Sequence, residues 1–193
     1  MAIIVNKEEK RRNIALSCRE LLLEHGIDNL TISQIAKSAG VGKGTIYEYF
    51  ENKEDIVFEI ITTFVVEYEK RFEEISLERM PLREKLFHFF NLLFENETAR
   101  KHLILYKEFL AISLMRESEE MLAFSEACRV KFIAILERIL QEGRERGELP
   151  PGSHISASSL LLFGTGLVVD SRLRAVDVTQ EIDLFLTMLC KGV

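Results

Sequence analysis

The stretch LTISQIAKSAGVGKGTIYEYFENK, Leu30 to Lys53, decides how this chain reads. Its opening is a helix start signal. Thr31 is placed to cap a helix while Gln34, three residues on, reaches back to it, and Leu30 can staple onto Ile35. That helix is short because Gly40 stops it, and a second short helix follows from about Lys43 to Tyr49. Two helices joined this way need a small residue where they cross, a glycine in the turn, and an apolar residue facing back from the second helix. Ala36, Gly40 and Ile46 answer those needs in order, with Ile46 closing a small core alongside Ile35 and Val41. The pattern is a helix-turn-helix, whose second helix enters the major groove of DNA with its N-terminal residues at base edges.

Working outward, helical spacing continues in both directions. Upstream, Ile14, Cys18, Leu21 and Leu22 predict one helix over Lys7 to His25, with Gly26 at its C-terminal cap. Downstream, Asn52 caps a long helix to about Glu78, with Asp55 in the reciprocal position and Glu54 and Asp55 favoured by the helix dipole. Its stripe is Val57, Ile61, Phe64, Val65, Tyr68, Phe72 and Ile75. Pro81 suits the first turn of the next helix, which carries Leu82, Leu86, Phe89, Phe90 and Leu93 on one face. Further helices are expected over Thr98–Leu114, Glu117–Arg146, His154–Arg174 and Thr179–Lys191. Between the second and third of these lies the clearest loop, Gly147 to Gly152. There is no strand alternation, repeat or low-complexity segment. The fold class expected is all-α, with about nine helices: a three-helix helix-turn-helix DNA-binding domain over residues 1–52, and a larger C-terminal helical bundle over 53–193.

Composition bounds the function. Apolar residues make up 47% of the 193-residue chain and charged residues 29%, enough for a packed core. The start, Met1 to Val5 followed by Asn6-Lys7-Glu8-Glu9-Lys10, lacks the pattern of a secretory leader. The apolar run Leu160–Val169 is too short to span a bilayer and is broken by Gly164, Thr165 and Gly166. Cys18, Cys128 and Cys190 are odd in number and lack metal or redox spacing, so they read as reduced cysteines. A soluble cytoplasmic protein with no membrane partner and no cofactor is expected. The net charge of −6 is unusual for a nucleic-acid binder, but it is unevenly spread. Residues 1–53 hold eight Lys/Arg against seven Asp/Glu, and the rest hold seventeen against twenty-four. Any DNA face must therefore be small and N-terminal. Lys10-Arg11-Arg12 reads either as a solvated helix face or as a phosphate contact.

The same stretch resembles the DNA-binding domain of the TetR (tetracycline repressor) family, through Thr31, Ile35, Ala36, Ala39, Gly40, Val41, Gly44, Thr45, Tyr47, Tyr49, Phe50, Asn52 and Lys53. Detailed resemblance runs from Lys7 to Phe64; beyond that only the general plan agrees. The resemblance implies a ligand-responsive transcriptional regulator, a repressor that binds double-stranded palindromic operator DNA as a homodimer and is released by a small hydrophobic effector. It implies phosphate contacts from Thr31 and Ser33, and from Lys53 at the start of its helix. It also implies that Lys43, Gly44, Thr45, Tyr47 and Tyr49 face the groove or its walls, with Lys43 directed to guanine. One departure stands out: Gly42 takes the place of a common serine before the recognition helix, removing a hydroxyl that could touch phosphate.

Fourteen of the seventeen Phe and Tyr residues follow residue 53. A packed core explains them by default. The resemblance adds an effector chamber, for which Ile61, Phe64, Val65, Tyr68, Phe90, His102, Tyr106, Phe109 and Phe132 are the candidates. Effector binding would shift the helix that begins at Lys53 and change the spacing of the two DNA-reading heads. His102, Tyr106, Phe109 and Ser113 share a face that suits either a ligand or ordinary packing. His88 belongs to a polar face, and His25 ends a helix. For the dimer, the last two helices offer Leu160, Phe163, Gly164 and Leu167, then Ile182, Phe185, Leu186 and Leu189. Two such helices per chain make a four-helix interface, with Gly164 and Gly166 allowing close approach of another helix. The alternative is that both helices complete an intrachain core.

Two other function classes fit the residues less well. An enzyme lacks support, since no paired carboxylates stand out, the four histidines are scattered, and no metal-ligand spacing appears. The Gly40–Thr45 run fails as a nucleotide loop because glycine follows its lysine and a helix precedes it. A purely structural helical adaptor has no need of the Thr31–Lys53 pattern.

Overall fold

The computed structural model describes residues 7–116, 119–173 and 177–191. Ten α-helices make it up, and no strand occurs among the described residues. The first two, α1 (Lys7–Ser17) and α2 (Arg19–Asn29), divide the segment expected to be one helix. The break falls at Cys18, whose backbone N–H reaches back only three residues, to the Ala15 carbonyl. The Ser17 hydroxyl and the Cys18 thiol both donate to the Ile14 carbonyl, at 2.6 and 3.3 Å. Side chains that occupy a helix carbonyl compete with its backbone ladder, and this break accounts for the tenth helix. Gly26, at φ 73°, interrupts the regular part of α2 where a cap was expected.

The next junctions follow local rules. Ahead of α3 (Ile32–Ser38), the extended Thr31 accepts the Gln34 N–H at 3.3 Å, and the Gln34 Oε1 accepts the Thr31 N–H at 2.9 Å. Both halves of a capping box are thus made. After α3, Gly40 takes φ 65°. Val41 N–H then bonds the Ala36 carbonyl at 3.0 Å and Gly40 N–H bonds Lys37 at 3.2 Å, the paired closure of a Schellman end. A Cβ at Gly40 would touch nothing within 4 Å, so the demand for glycine is conformational rather than steric. Helix α4 (Lys43–Tyr49) starts from Gly42, and α5 (Lys53–Leu77) is capped by Asn52 Oδ1, which accepts Asp55 N–H at 2.9 Å.

The remaining helices are α6 (Leu82–Asn91), α7 (Glu97–Arg116), α8 (Glu119–Glu145), α9 (Ala157–Leu173) and α10 (Val178–Lys191). Asn96, Ser156 and Asp177 cap α7, α9 and α10 through side-chain oxygens. Pro81, expected in the first turn of α6, is instead its cap residue, and the carboxylate of Glu148 accepts the N–H of Leu82 behind it. The expected helix ends at Glu117 and Arg174 lie outside the described residues, as do Met1 to Asn6.

Two compact units emerge. The first holds the described residues up to Val66 together with α7 from Ile104. Its buried residues include Ile14, Cys18, Leu22, Ile35, Ile46, Phe50, Ile56 and Ile60. The second holds Glu67–Leu103 and the described residues from Glu119 onward. There α6 lies against α8 and α10, and α8 against α9, around Leu86, Phe89, Leu136, Ile139, Leu160, Ile182 and Leu186. One member of this interior is charged. Lys85, 2% exposed, donates to the Ser76 carbonyl at 2.8 Å and pairs with Glu142, holding that carboxyl below the usual range. A buried ammonium is tolerable only with such partners.

Candidate nucleic-acid interface

The site is built on the packing of α3 against α4, with α1 alongside α4. Ile35, Ala36 and Ile46 are buried and Val41 is half-buried, so the inner face of α4 is spent on holding it in place. Two polar bonds complete the frame: Ser38 Oγ donates to the Ser17 carbonyl at 2.7 Å, and the Cys18 thiol approaches the Ile35 carbonyl at 3.7 Å.

What remains of α4 points outward. Lys43, Gly44 and Glu48 are exposed, and Tyr47 keeps 60% of its surface, large for an aromatic side chain. Thr45 and Tyr49 are half-buried. Thr31 and Ser33 are exposed at the start of α3, although the Thr31 hydroxyl is already engaged with Gln34 Oε1 at 2.7 Å. Lys53 is half-buried at the first residue of α5. The eight candidates thus occupy two helix starts and the outer side of the short helix between them. A Cβ on either Gly42 or Gly44 would meet no atom within 4 Å, so nothing inside the protein requires glycine at these two positions.

Sequence reasoning did not single out the role of Arg11. Its Nη1 donates to the carbonyl of Tyr49 at 2.7 Å, its Nε pairs with Glu59 at 3.0 Å, and its guanidinium lies 4.6 Å over the Phe50 ring. Partners 38 and 48 residues away leave no local sequence signal.

The candidate effector residues fall in both units. In the first, Ile61, Phe64 and Phe109 are buried and Val65 and Tyr106 half-buried; Phe109 stacks on Phe58 at 5.9 Å and on Tyr106 at 6.2 Å. Arg19 lies 4.6 Å over Phe64. In the second, the Tyr68 hydroxyl meets Nδ1 of the buried His102 at 3.2 Å, while Phe132 packs edge-on against Phe72 and Phe90 is buried against Phe163 and Phe185.

Among the candidate interface residues, Leu160, Leu167, Ile182 and Leu186 are buried within the protomer, and Phe163 and Phe185 stack on each other at 3.7 Å. Leu189 is half-buried against the same core. A Cβ on Gly164 would lie 3.4 Å from the Phe90 ring, so the helix it admits closely is α6 of its own chain. Among the described residues of α9 and α10, the large apolar side chains left exposed are Leu162, Val169, Leu184 and Met188. The three cysteines are free thiols, each pushed up by burial, Cys128 to about 11. Among the described residues no cluster of three or more His, Cys, Asp or Glu could hold a metal ion, and no helix is long and apolar enough to cross a membrane.

Comparison with known proteins agrees with this frame. The profile of bacterial regulatory proteins of the tetR family matches residues 17–60. A fatty acid metabolism regulator protein of Bacillus subtilis is 30% identical over 159 residues, 82% of this chain and 80% of the relative. The crystal structure of a transcriptional regulator FadR from Bacillus subtilis in complex with stearoyl-CoA shares the fold with a TM-score of 0.64 and 26% identity, covering 94% of this chain and 98% of that one. A transcriptional regulator from Saccharomonospora viridis, solved in complex with choline, gives a TM-score of 0.77 at 18% identity over 93% of this chain and 96% of its own, a likeness of fold alone. With its helix-turn-helix set at residues 30–53 and a relative of this identity matched over most of its length, the chain belongs to the TetR family of bacterial transcriptional regulators.

Proposed function

We propose that this regulator is a repressor that binds a palindromic operator as a homodimer and leaves it when a small hydrophobic or amphipathic effector binds. The observation that carries the DNA half is the outer face of α4, exposed at Lys43, Gly44, Tyr47 and Glu48 on a helix whose inner face is buried at Ile46. Lys43, Gly44, Thr45, Tyr47 and Tyr49 read the groove or its walls, while Thr31, Ser33 and Lys53 bind phosphate. The dimer is supported by four apolar side chains left in solvent on α9 and α10: Leu162, Val169, Leu184 and Met188. An isologous pairing of these faces removes them from water.

For the effector, a long-chain acyl-CoA is the first candidate. The similar FadR of Bacillus subtilis is solved with stearoyl-CoA, and aromatic and aliphatic side chains dominate the interior of both units. Tyr68 and His102 supply a polar pair for an effector's polar group. The test is fluorescence anisotropy on a duplex selected by the protein from a randomised library, with stearoyl-CoA added. Release of the duplex is the expected result. A complex indifferent to acyl-CoAs of every chain length overturns the effector assignment, and failure to select any sequence overturns the DNA assignment.

A further inference from the structure

Helix α4 has seven residues, fewer than hold a helix by themselves in water, so its tertiary anchors decide its direction. Ile46 is the anchor in the middle. At the C-terminal end the chain leaves the helix abruptly: Phe50 is extended, at φ −138° and ψ 132°, and the last turn contains no basic residue. The Tyr49 carbonyl belongs to the last residue of the helix, among the final carbonyls for which a helix supplies no partner of its own and where its dipole is negative.

Arg11 meets both needs from α1. One arm of its guanidinium bonds the Tyr49 carbonyl, another edge is fixed by Glu59 of α5, and the flat face covers Phe50. Only a planar fork with separate donors can do all three at once; an ammonium supplies one compact charge and no plane. The contact joins three elements of one unit: α1, the end of α4 and the early part of α5.

We propose that Arg11 is a positioning residue for DNA recognition: it sets the angle at which α4 presents Lys43 to Tyr49, and its charge is committed to Glu59 and the helix end rather than to phosphate. This rests on the reading of α4 as the DNA-reading helix. A residue of this kind affects discrimination between sequences, because a tilted α4 misplaces its base-edge contacts while phosphate attraction survives.

The test compares R11M, R11K and the double variant R11M/E59L on two probes, the duplex selected by the unmodified protein and a shuffled duplex of equal composition. R11M is expected to bind the selected duplex about tenfold more weakly, equivalent to about 1.4 kcal/mol. Its affinity for the shuffled duplex and its salt slope stay unchanged. R11K shows the same loss despite its charge. R11M/E59L recovers the melting temperature lost by R11M, since both charges are gone together, but does not recover discrimination. Amide exchange at Phe50 quickens in all three variants. If both probes weaken alike and the salt slope falls by about one unit, Arg11 is a phosphate ligand and the proposal fails. If the double variant regains discrimination with stability, the role is structural only and the proposal fails. An unmodified protein that selects no sequence overturns the underlying reading of α4, and this one with it.

Discussion

Gly44 is the second residue of α4, exposed, and an added Cβ there would have nothing within 4 Å. Gly44→Ala therefore costs the free protein no packing. It gains helix propensity instead, about 0.5–1 kcal/mol relative to glycine, which for a chain of this size is a rise in melting temperature of about 1–4 °C. On DNA the balance reverses if the backbone of α4 approaches a groove wall at this point. An inserted methyl in a close contact costs about 1–3 kcal/mol, so affinity for a selected duplex drops about tenfold, the equivalent of about 1.4 kcal/mol. The two effects have opposite signs and are read separately, one by thermal unfolding without DNA and the other by anisotropy with it. A variant that is more stable and binds as tightly as the parent refutes the close approach and moves the interface off Gly44.

The other predictions concern charge, assembly and thiols. Lys53→Ala should weaken binding to all duplexes alike and lower the salt slope by about one unit, whereas Lys43→Ala should relax preference at a single base pair by about 1–3 kcal/mol; selection on randomised duplexes and salt titrations separate the two. Leu184→Glu with Met188→Glu should yield monomer in sedimentation without loss of protomer stability, while Leu186→Ala, at a fully buried position, should cost about 2–5 kcal/mol in denaturant unfolding. Burial raises the Cys128 thiol from 9.0 to about 11, so the folded state favours its protonated form. That stabilisation is complete below pH 9.0 and is lost as pH rises toward about 11. Relative to Cys128→Ser, the parent should weaken over that window in pH-dependent unfolding, and Cys128 should resist alkylation at neutral pH.

The head was legible because its instructions are local. Thr31 with Gln34, Gly40 in the turn and Asn52 as a cap are a pair three residues apart and single residues with one conformational use, and they appear as read. Asp55 differs, its carboxylate accepting the N–H of Glu51 at 3.0 Å rather than that of Asn52. The all-α fold followed from periodicity in the same way. The split at Cys18 was hidden because a hydroxyl and a thiol chose the Ile14 carbonyl, which helical spacing does not report. Lys85 was hidden because a charged residue between Leu82 and Leu86 reads as surface until Ser76 and Glu142 are placed around it. On α9 and α10 an apolar stripe cannot say which chain it is buried against. The structure puts Leu160, Leu167, Ile182 and Leu186 inside the protomer and leaves Leu162, Val169, Leu184 and Met188 in solvent.

The Arg11 contacts carry a kinetic consequence. The caps and turn of the head close over three to five residues, and the Ser38 bond to Ser17 spans only 21. Elements held by such short-range contacts assemble early and fast. The bonds from Arg11 to Tyr49 and Glu59 span 38 and 48 residues, so they close over longer loops than these and form after them. A substitution at Arg11 then leaves the rate of folding almost untouched and speeds unfolding instead. In a stopped-flow chevron its whole effect falls on the unfolding arm, and α4 is the part of the head whose lifetime, rather than whose formation, depends on a single arginine.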